Sequence, residues 1–277
     1  MYRHAVTVGG KDFALTAFTP GDASEFGLTN WSLQPLQTYV DALRNGQLAA
    51  GFRNAFKKAG SRCIFAPRVK DFSANVVREF HLNHHIYLRN VVLHRNHCLP
   101  ADCVQLEKPD HSFAMSGRGC PVIIAVGGEV VFVGHAGRNS LVDPGAVLDN
   151  PTRKYVSIVH TIFEAFVREG ISPAEVSMRM FFAIPASVFR HPFGHPVYGN
   201  YNRKLAEFIG YRWPGSGKRS NGCLELDLEQ LFLAQAAKRG VKDVRAEFSL
   251  DTHDELTHTR DGRDPSARNL IVVKRCS

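Results

Sequence analysis

Cys120 and His135 are the two side chains whose types and spacing most clearly permit chemistry. They flank two apolar, β-branched runs, 122–126 and 129–133, which are separated by Gly127-Gly128, a pattern typical of a two-residue β-hairpin. With the two glycines as the loop, the numbers of facing residues sum to 255, and 120 and 135 also sum to 255. We therefore predict that both side chains project from one face at the open end of the hairpin, with Cβ atoms about 4.5–5.5 Å apart.

A thiol beside an imidazole has two chemical uses. The two groups can be ligands of one metal ion, or they can form a nucleophilic pair in which His135 is the base for Cys120. Small residues around the histidine, Gly134 and Ala136-Gly137, leave room for a ligand to approach the backbone. The alternative is structural, with the cysteine in the core and the histidine at a strand end, and the spacing leaves all three interpretations open.

Other cysteines and histidines have weaker patterns. Six cysteines in a chain of this length, with no secretory signal, favour reduced thiols over a disulfide framework. Metal-ligand spacing also occurs at His94, His97, Cys98 and Cys103, but the second paired half of a zinc finger is missing. Five of the thirteen histidines fall within seventeen residues: His81, His84, His85, His94 and His97.

The helices and strands that must position these residues are predicted from the spacing of apolar residues and from the Gly, Pro and capping residues at their ends. A helix is predicted over 150–170, because Asn150 suits the N-cap, Pro151 the first turn and Gly170 the C-terminal stop. A second helix is predicted over 226–239, and the segment 190–222, dense in Pro, Gly, His and Arg, is predicted to be loop. Further extended runs are 13–18, 86–93, 176–184, 243–250 and 269–273. Strands and helices intermix without a change in composition, so the sequence predicts one α/β-type (α+β) domain over 1–277.

Composition and charge exclude several classes of protein. The 277 residues are 44% hydrophobic and 22% charged, which excludes disordered, collagen-like and coiled-coil chains. No apolar run reaches the ~18 residues of a membrane-spanning helix, and the N-terminus lacks a signal-peptide pattern, so we expect a soluble, cytoplasmic protein without a membrane partner. The net charge is +8, but Lys and Arg are dispersed, so nucleic acid is not an expected partner.

The segment Gly134-His-Ala-Gly-Arg-Asn-Ser140, following Cys120-Pro-Val-Ile-Ile, resembles the Cys…His-Ala-Gly-Trp-Arg-Gly core of the laccase-domain family. Its members are also called YfiH-like proteins, peptidoglycan editing factors or multicopper polyphenol oxidoreductases. The resemblance implies mixed β-sheets layered against helices in a single domain, and it spans about residues 12–273. Further blocks resemble the family's motifs in the same order: Phe26-Gly-Leu-Thr-Asn30, Ala101-Asp102, Ala183-Ile184, Leu226-Asp227-Leu228, and Thr257-His-Thr-Arg-Asp261 with Ser266-Ala-Arg268.

The resemblance also implies a metal pocket made of a histidine, a cysteine and a second histidine. Cys120 and His135 match two of these positions, and the family's spacing places the first histidine near His84, with His81 and His85 as alternatives. Three such ligands leave a fourth position open, as in catalytic zinc sites. The same ligands accept copper, although one three-ligand site does not supply the several coppers of laccase chemistry.

Purine nucleosides are the substrates that the resemblance implies, through phosphorolysis of the glycosidic bond or deamination of the base. In this scheme Arg138, with Arg260 or Arg268, holds phosphate, because guanidinium groups suit that anion. Asn30 and Asp102 orient the ribose or the ligand side chains.

Departures from the family pattern fall at the expected pocket. The family's Trp-Arg after His-Ala-Gly is Arg138-Asn139 here, and its Ala-Asp before the cysteine is Arg118-Gly119. Either the substrate differs from the usual one or the pocket has lost catalysis. Three functions therefore stay open: a metal-dependent enzyme on purine nucleosides, a hydrolase with Cys120 as nucleophile and His135 as base, and a non-catalytic binding protein.

Overall fold

Strands make up the largest share of the regular secondary structure. The computed structural model describes residues 1–25, 47–67, 74–95, 101–148, 156–250, 253, 256 and 268–277. Within these residues sixteen strands form three sheets. The strands are β1 (Tyr2–Val8), β2 (Lys11–Phe18), β3 (Cys63–Phe65), β4 (Val76–Arg78), β5 (His84–Leu88), β6 (Val91–Arg95), β7 (Cys103–Gln105), β8 (His111–Gly117), β9 (Val122–Gly127), β10 (Val130–His135), β11 (Val176–Phe181), β12 (Arg190–Pro192), β13 (Gly217–Ser220), β14 (Cys223–Leu226), β15 (Asp243–Glu247) and β16 (Asn269–Arg275).

Seven α-helices cover these sheets within the described residues. Two further single turns of 3₁₀-helix span Glu79–His81 and Pro173–Glu175. No helix in the described part of the chain combines the length and apolar character needed to cross a bilayer. The helices are α1 (Pro20–Glu25), α2 (Gln47–Lys58), α3 (Arg138–Leu141), α4 (Pro144–Leu148), α5 (Ile158–Arg168), α6 (Gly199–Arg212) and α7 (Leu228–Lys238).

Two large mixed sheets and one small sheet make up the architecture. The seven-stranded sheet has the order β1-β2-β16-β8-β3-β6-β5, and the six-stranded sheet has the order β15-β11-β9-β10-β7-β4. The third sheet, β12-β14-β13, is antiparallel. The β9–β10 hairpin lies at the centre of the six-stranded sheet, with β11 and β7 on its two sides, so its open end is held from both directions. The mixed α/β class predicted from the sequence is confirmed.

Buried side chains cover both faces of the central strands of the two large sheets. The main core joins residues of both large sheets with α5 and α7, for example where the rings of Phe132 and Phe166 meet edge to face at 4.9 Å. A second cluster lies between the seven-stranded sheet and α2, where Phe52 and Phe56 pack on Phe18 and its neighbours. Burying one such side chain stabilises the fold by about 1.5–3 kcal/mol. The β9–β10 hairpin therefore packs against a well-filled hydrophobic core.

The predicted register of the β9–β10 hairpin is wrong, because the two-residue loop lies one residue later in the chain than predicted. Val126 pairs with Val131, so facing numbers sum to 257, and the two-residue loop is Gly128-Glu129. Gly128 has φ +55°, which the first loop position of the favoured hairpin turns requires. Gly127 instead stays in β9, at a position where an added Cβ would lie 2.8 Å from Ile171 Cγ2.

Two element predictions are also corrected. The helix predicted over 150–170 is α5, which begins after Ser157, whose hydroxyl accepts the His160 N–H. Its predicted start at Asn150 and Pro151 lies outside the described residues. The segment 190–222, predicted as loop, contains α6 and two short strands, β12 and β13. The sequence does not predict this helix because its buried positions mix polar and small residues with apolar ones. These positions are Gly199, Asn202, Leu205, Ala206 and Ile209.

Candidate functional site

Close packing between β10 and β7 brings His135 to Asp102. A Cβ on Gly134 would lie 2.6 Å from the Asp102 carbonyl oxygen and 2.6 Å from the Cys103 Cβ, so only glycine allows this approach. The His135 N–H donates to the Asp102 carbonyl oxygen at 2.7 Å. Because the backbones are fixed in this way, the side chain of Asp102, just before β7, lies beside that of His135 at the end of β10.

The buried Asp102 carboxylate holds one nitrogen of the His135 ring. Asp102 Oδ1 lies 2.9 Å from His135 Nδ1, and Asp102 is only 1% exposed. The Ser140 hydroxyl, from α3, donates to the same carboxylate oxygen at 2.9 Å and lies 3.0 Å from Nδ1. Such a carboxylate fixes the ring orientation and stabilises its protonated form. The other ring nitrogen, Nε2, is left to meet a reactant.

Cys120 lies in the turn between β8 and β9 and contacts the imidazole diagonally. His135 pairs with Val122, so Cys120 is two residues further along the same face. The thiol and the imidazole are hydrogen-bonded. A Cβ on Gly137 would lie 2.7 Å from His135 Nε2 and 3.4 Å from Cys120 Sγ, so both atoms border the space that this glycine leaves. The predicted juxtaposition is present, although the predicted register is not.

Cys120 and His135 shift each other's protonation. Burial raises the pKa of the Cys120 thiol, but attraction to His135 and the hydrogen bond between them outweigh burial and lower that pKa below its usual value. Burial likewise disfavours the protonated imidazole, yet Cys120 and Asp102 outweigh it and raise the pKa of His135 to about 10. The contact therefore favours the thiolate and the imidazolium relative to the same side chains in isolation.

A cavity of about 480 Å³ opens onto this pair. Its walls combine cationic groups with aromatic rings, and its volume lies within the range of small-molecule sites. Besides Cys120 and His135, the side chains that characterise the walls are Arg118, Arg138, Asn139, Phe189, His191, His195, Tyr198 and Asn202. Most of the last five come from the segment 190–222, so α6 and its preceding turn form one side of the site.

Arg138 is held in place at the cavity wall. Its Nη1 lies 3.3 Å from His191 Nδ1, and its Nε donates to Asn139 Oδ1 at 3.1 Å. Its Cζ lies 5.7 Å from the Tyr201 ring centroid, within the range of a cation–π contact. A guanidinium fixed on three sides is oriented for an anionic or strongly polar group of a ligand.

The structure places His84, the predicted first metal ligand, away from Cys120. His84 lies on β5, the edge strand of the seven-stranded sheet, three strand spacings or roughly 14 Å from β8, the strand that leads to Cys120. The alternative His85 is on the same edge strand, and His81 lies beyond β4 at the opposite end of the six-stranded sheet from Asp102.

Other predicted residues have mixed outcomes. Asp102 contacts the His135 ring, and Arg138 lines the cavity. Arg268 precedes β16, whose first residue pairs with Gly117 near Cys120, but it does not line the described cavity. Asn30 and Arg260 lie outside the described residues, as do His97 and Cys98. Three residues near the site were not predicted from the sequence: Ser140, His191 and His195. Only Ser140 had a sequence signal, because it ends the motif that contains His135.

A zinc ion fits the described residues only in part. Cys120 Sγ and His135 Nε2 are suitable donors, and the Asp102 carboxylate supports the imidazole as carboxylates support metal-bound histidines. A catalytic zinc site uses three protein ligands. Within the described ranges, no group of three or more His, Cys, Asp or Glu side chains is arranged to hold a metal ion. The described donor set is therefore incomplete.

Solved structures share this fold, whereas no protein-family model and no curated protein matches the chain. YlmD from Geobacillus stearothermophilus has a TM-score of 0.60 at 15% identity, over 96% of this chain and 92% of that one. A Neisseria meningitidis protein of the family DUF152 has 0.65 at 14%, over 100% of both. The Bacillus licheniformis hypothetical protein YfiH has 0.60 at 12%, over 95% and 91%. At these identities the likeness establishes the fold.

Proposed function

We propose, from the premise that this chain has the fold of the YfiH-like, laccase-domain proteins, that it is an enzyme in which Cys120 is the nucleophile. The observation that carries the proposal is the orientation of His135, with Nδ1 held by Asp102 and Nε2 bordering the same space as Cys120 Sγ. This is the arrangement of a nucleophile, a base and a carboxylate that orients the base. It opens onto a cavity large enough for a small molecule.

Each member of the triad has one role in the reaction. The Cys120 thiolate attacks an electrophilic carbon of the substrate and forms a C–S bond, while the His135 imidazolium gives its proton to the leaving group. The neutral imidazole then takes a proton from water, which attacks the same carbon and breaks the C–S bond. The thiolate and the imidazolium are thereby restored. Asp102 keeps the imidazole oriented through both steps.

A purine nucleoside with a 6-amino group is the substrate class we propose. Its C6 is an amidine carbon, which accepts a thiolate and releases ammonia, so adenosine and water give inosine and ammonia. Of the two reactions implied by the family resemblance, deamination uses a nucleophilic thiolate directly, whereas phosphorolysis uses phosphate as the nucleophile. Phe189 and Tyr198 offer aromatic surfaces for a base, and Arg138 offers a polar anchor for the rest of the molecule.

A metal-dependent enzyme on purine nucleosides is the second candidate. The Asp102–His135 contact favours it, because metal-bound histidines have the same carboxylate support. Cys120 and His135 would hold zinc, which supplies Lewis-acid chemistry, and Arg138 would hold phosphate. The described donor set lacks a third ligand, so no step is derived through the metal.

Nucleoside turnover and metal content together test the proposal. The purified protein is incubated with adenosine, and separately with inosine plus phosphate, while ammonia and free base are measured with and without a chelator. We expect adenosine deamination that resists the chelator, is lost in Cys120→Ala and His135→Gln, and persists in the control Cys276→Ala. Acid quenching during turnover should trap a purinyl adduct on the Cys120 peptide.

Three results would contradict the proposal in different ways. Turnover that needs one equivalent of zinc, lost together with Cys120, would favour the metal-dependent candidate. Full activity of Cys120→Ala would show that the Cys120 thiol takes no part in the reaction. Adenosine and inosine left unchanged by the wild-type protein would exclude both nucleoside reactions and favour a non-catalytic binding protein.

A further inference from the structure

Four cationic residues line a cavity of about 470 Å³ beside α2: Arg53, Lys57, Arg62 and Arg89. None of its described lining residues lines the cavity of Cys120, so the chain has a second, separate concave surface. We call it the basic cavity. Its cations are dispersed along the sequence, and the fold gathers them at one place. A concave surface with one sign of charge attracts ligands of the opposite sign.

Two of the cations come from α2 and a third from the chain that follows it. Arg53 and Lys57 lie about one turn apart on the helix, a spacing at which like charges repel and destabilise it. The Arg62 carbonyl oxygen accepts the Val92 N–H at 2.7 Å, so the segment just before β3 is held against β6. The fold therefore keeps these cations together despite their repulsion.

The fourth cation occupies a backbone position that favours glycine. Leu88 pairs with Val91, so Arg89 and Asn90 form the two-residue loop between β5 and β6. Arg89 has φ +60°, in the left-handed region, where a residue with a Cβ is strained. The first loop position of a tight hairpin is usually Gly, Asn or Asp. Stability alone would therefore favour one of these residues over arginine at position 89.

No carboxylate neutralises the basic cavity within the described residues. Its described lining contains neither Asp nor Glu, and in this part of the chain none of its four cations is ion-paired. The acidic group that interacts with Arg62 is Asp110, which is exposed and ion-paired with Lys274 at 2.7 Å. Lys274, and after it Arg62, lower the pKa of Asp110. Because Lys274 already binds this carboxylate, the positive charge of the basic cavity is left for a ligand.

We propose that the basic cavity binds a small polyphosphate, a ligand with several linked phosphate groups and no ring. Three of its four cations are arginines, whose guanidinium groups match the geometry of phosphate oxygens. The exposed amides of Asn54 and Asn90 add hydrogen-bond donors to the lining. No aromatic residue belongs to the described lining, so a nucleobase would find no ring to stack on. The volume lies within the range of small-molecule sites.

Titration calorimetry with sodium tripolyphosphate tests the proposal, with sulfate and a single-stranded oligothymidylate as comparison ligands. We expect the wild-type protein to bind tripolyphosphate more tightly than either. Arg62→Gln should weaken this binding about tenfold, because it removes hydrogen bonds from a charged donor. Arg219→Gln is the matched control, since it removes an exposed arginine from β13 and should leave the affinity unchanged. Arg138→Gln should also leave it unchanged, which separates the basic cavity from the cavity of Cys120.

A second variant guards against misfolding as the cause of weaker binding. Arg89→Gly removes a guanidinium group, and glycine suits the φ of +60° at this position, so the variant should fold and also bind about tenfold more weakly.

Three results would overturn the proposal. Tripolyphosphate bound no more tightly than sulfate would show a surface that merely attracts anions. Unchanged affinity in both Arg62→Gln and Arg89→Gly would place the ligand elsewhere. Oligothymidylate bound more tightly than tripolyphosphate, and weakened by the same two substitutions, would assign the basic cavity to a nucleic acid backbone instead.

Discussion

Asp102 Oδ1 lies 2.9 Å from His135 Nδ1, so the imidazole presents its other nitrogen to the space beside Cys120. Replacing the carboxylate by an amide, Asp102→Asn, keeps the shape but removes the charge that stabilises the imidazolium. We expect kcat for nucleoside deamination to fall by about 10²–10⁴, with little change in the circular dichroism spectrum. The control Ser140→Ala keeps the Asp102–His135 contact and should lose much less. Equal losses in the two variants would contradict this role for the carboxylate.

Gly137 leaves the space that both reacting atoms border. In Gly137→Ala the new methyl group would lie 2.7 Å from His135 Nε2, so the ring must leave its present position beside Cys120. A displacement of this size should lower kcat by about 100-fold, as measured with saturating adenosine. Gly210→Ala is the matched control, since no atom lies within 4 Å of its added Cβ. It should keep full activity and stabilise α6 by about 0.5–1 kcal/mol.

Gly134 controls the approach of β10 to β7. A methyl group at this position would lie 2.6 Å from the Asp102 carbonyl oxygen, which is backbone and cannot rotate away. We expect Gly134→Ala to lower the free energy of unfolding by about 1–3 kcal/mol, the usual cost of overpacking. Urea denaturation checks this value. A variant as stable as the wild type would show that the two strands need not be this close.

His111 Nδ1 lies 2.6 Å from Glu79 Oε1, and we expect this pair to make the free energy of unfolding depend on pH. The pKa of His111 is raised from 6.5 to about 9 in the folded protein, so its contribution is complete below pH 6.5 and is lost as the pH rises through about 9. The difference in unfolding free energy between wild type and His111→Gln should therefore be largest near pH 6 and shrink towards pH 9. A difference that grows with pH would contradict the assignment.

The sequence predicts the chemistry of the central hairpin better than its geometry. The predicted register is wrong, yet it correctly places Cys120 and His135 close together. In the observed register they are diagonal neighbours on one face, and diagonal neighbours are also close. The predicted loop was Gly127-Gly128, whereas the structure has it at Gly128-Glu129. The short-range pattern thus finds the pair but not the register.

The cavity wall could not be predicted from local patterns. His191 and His195 belong to a segment whose Pro and Gly content indicates loop, yet that segment supplies α6 and one side of the cavity. His84 had the expected spacing along the chain but lies across three strand spacings of the sheet. Distances along the sequence do not encode which strands become neighbours, and strand order alone excludes this histidine from the site.

The alkylation rate of Cys120 as a function of pH tests the central claim most directly, because it needs no substrate. The protein is treated with iodoacetamide over a range of pH, and the Cys120 peptide is quantified by mass spectrometry. Since His135 lowers the pKa of this thiol, the midpoint of the rate profile should lie below the ordinary thiol value of 9.0. In His135→Gln the profile should move up towards that value. A wild-type profile centred at 9.0 and unchanged in His135→Gln would contradict a thiolate activated by the imidazole.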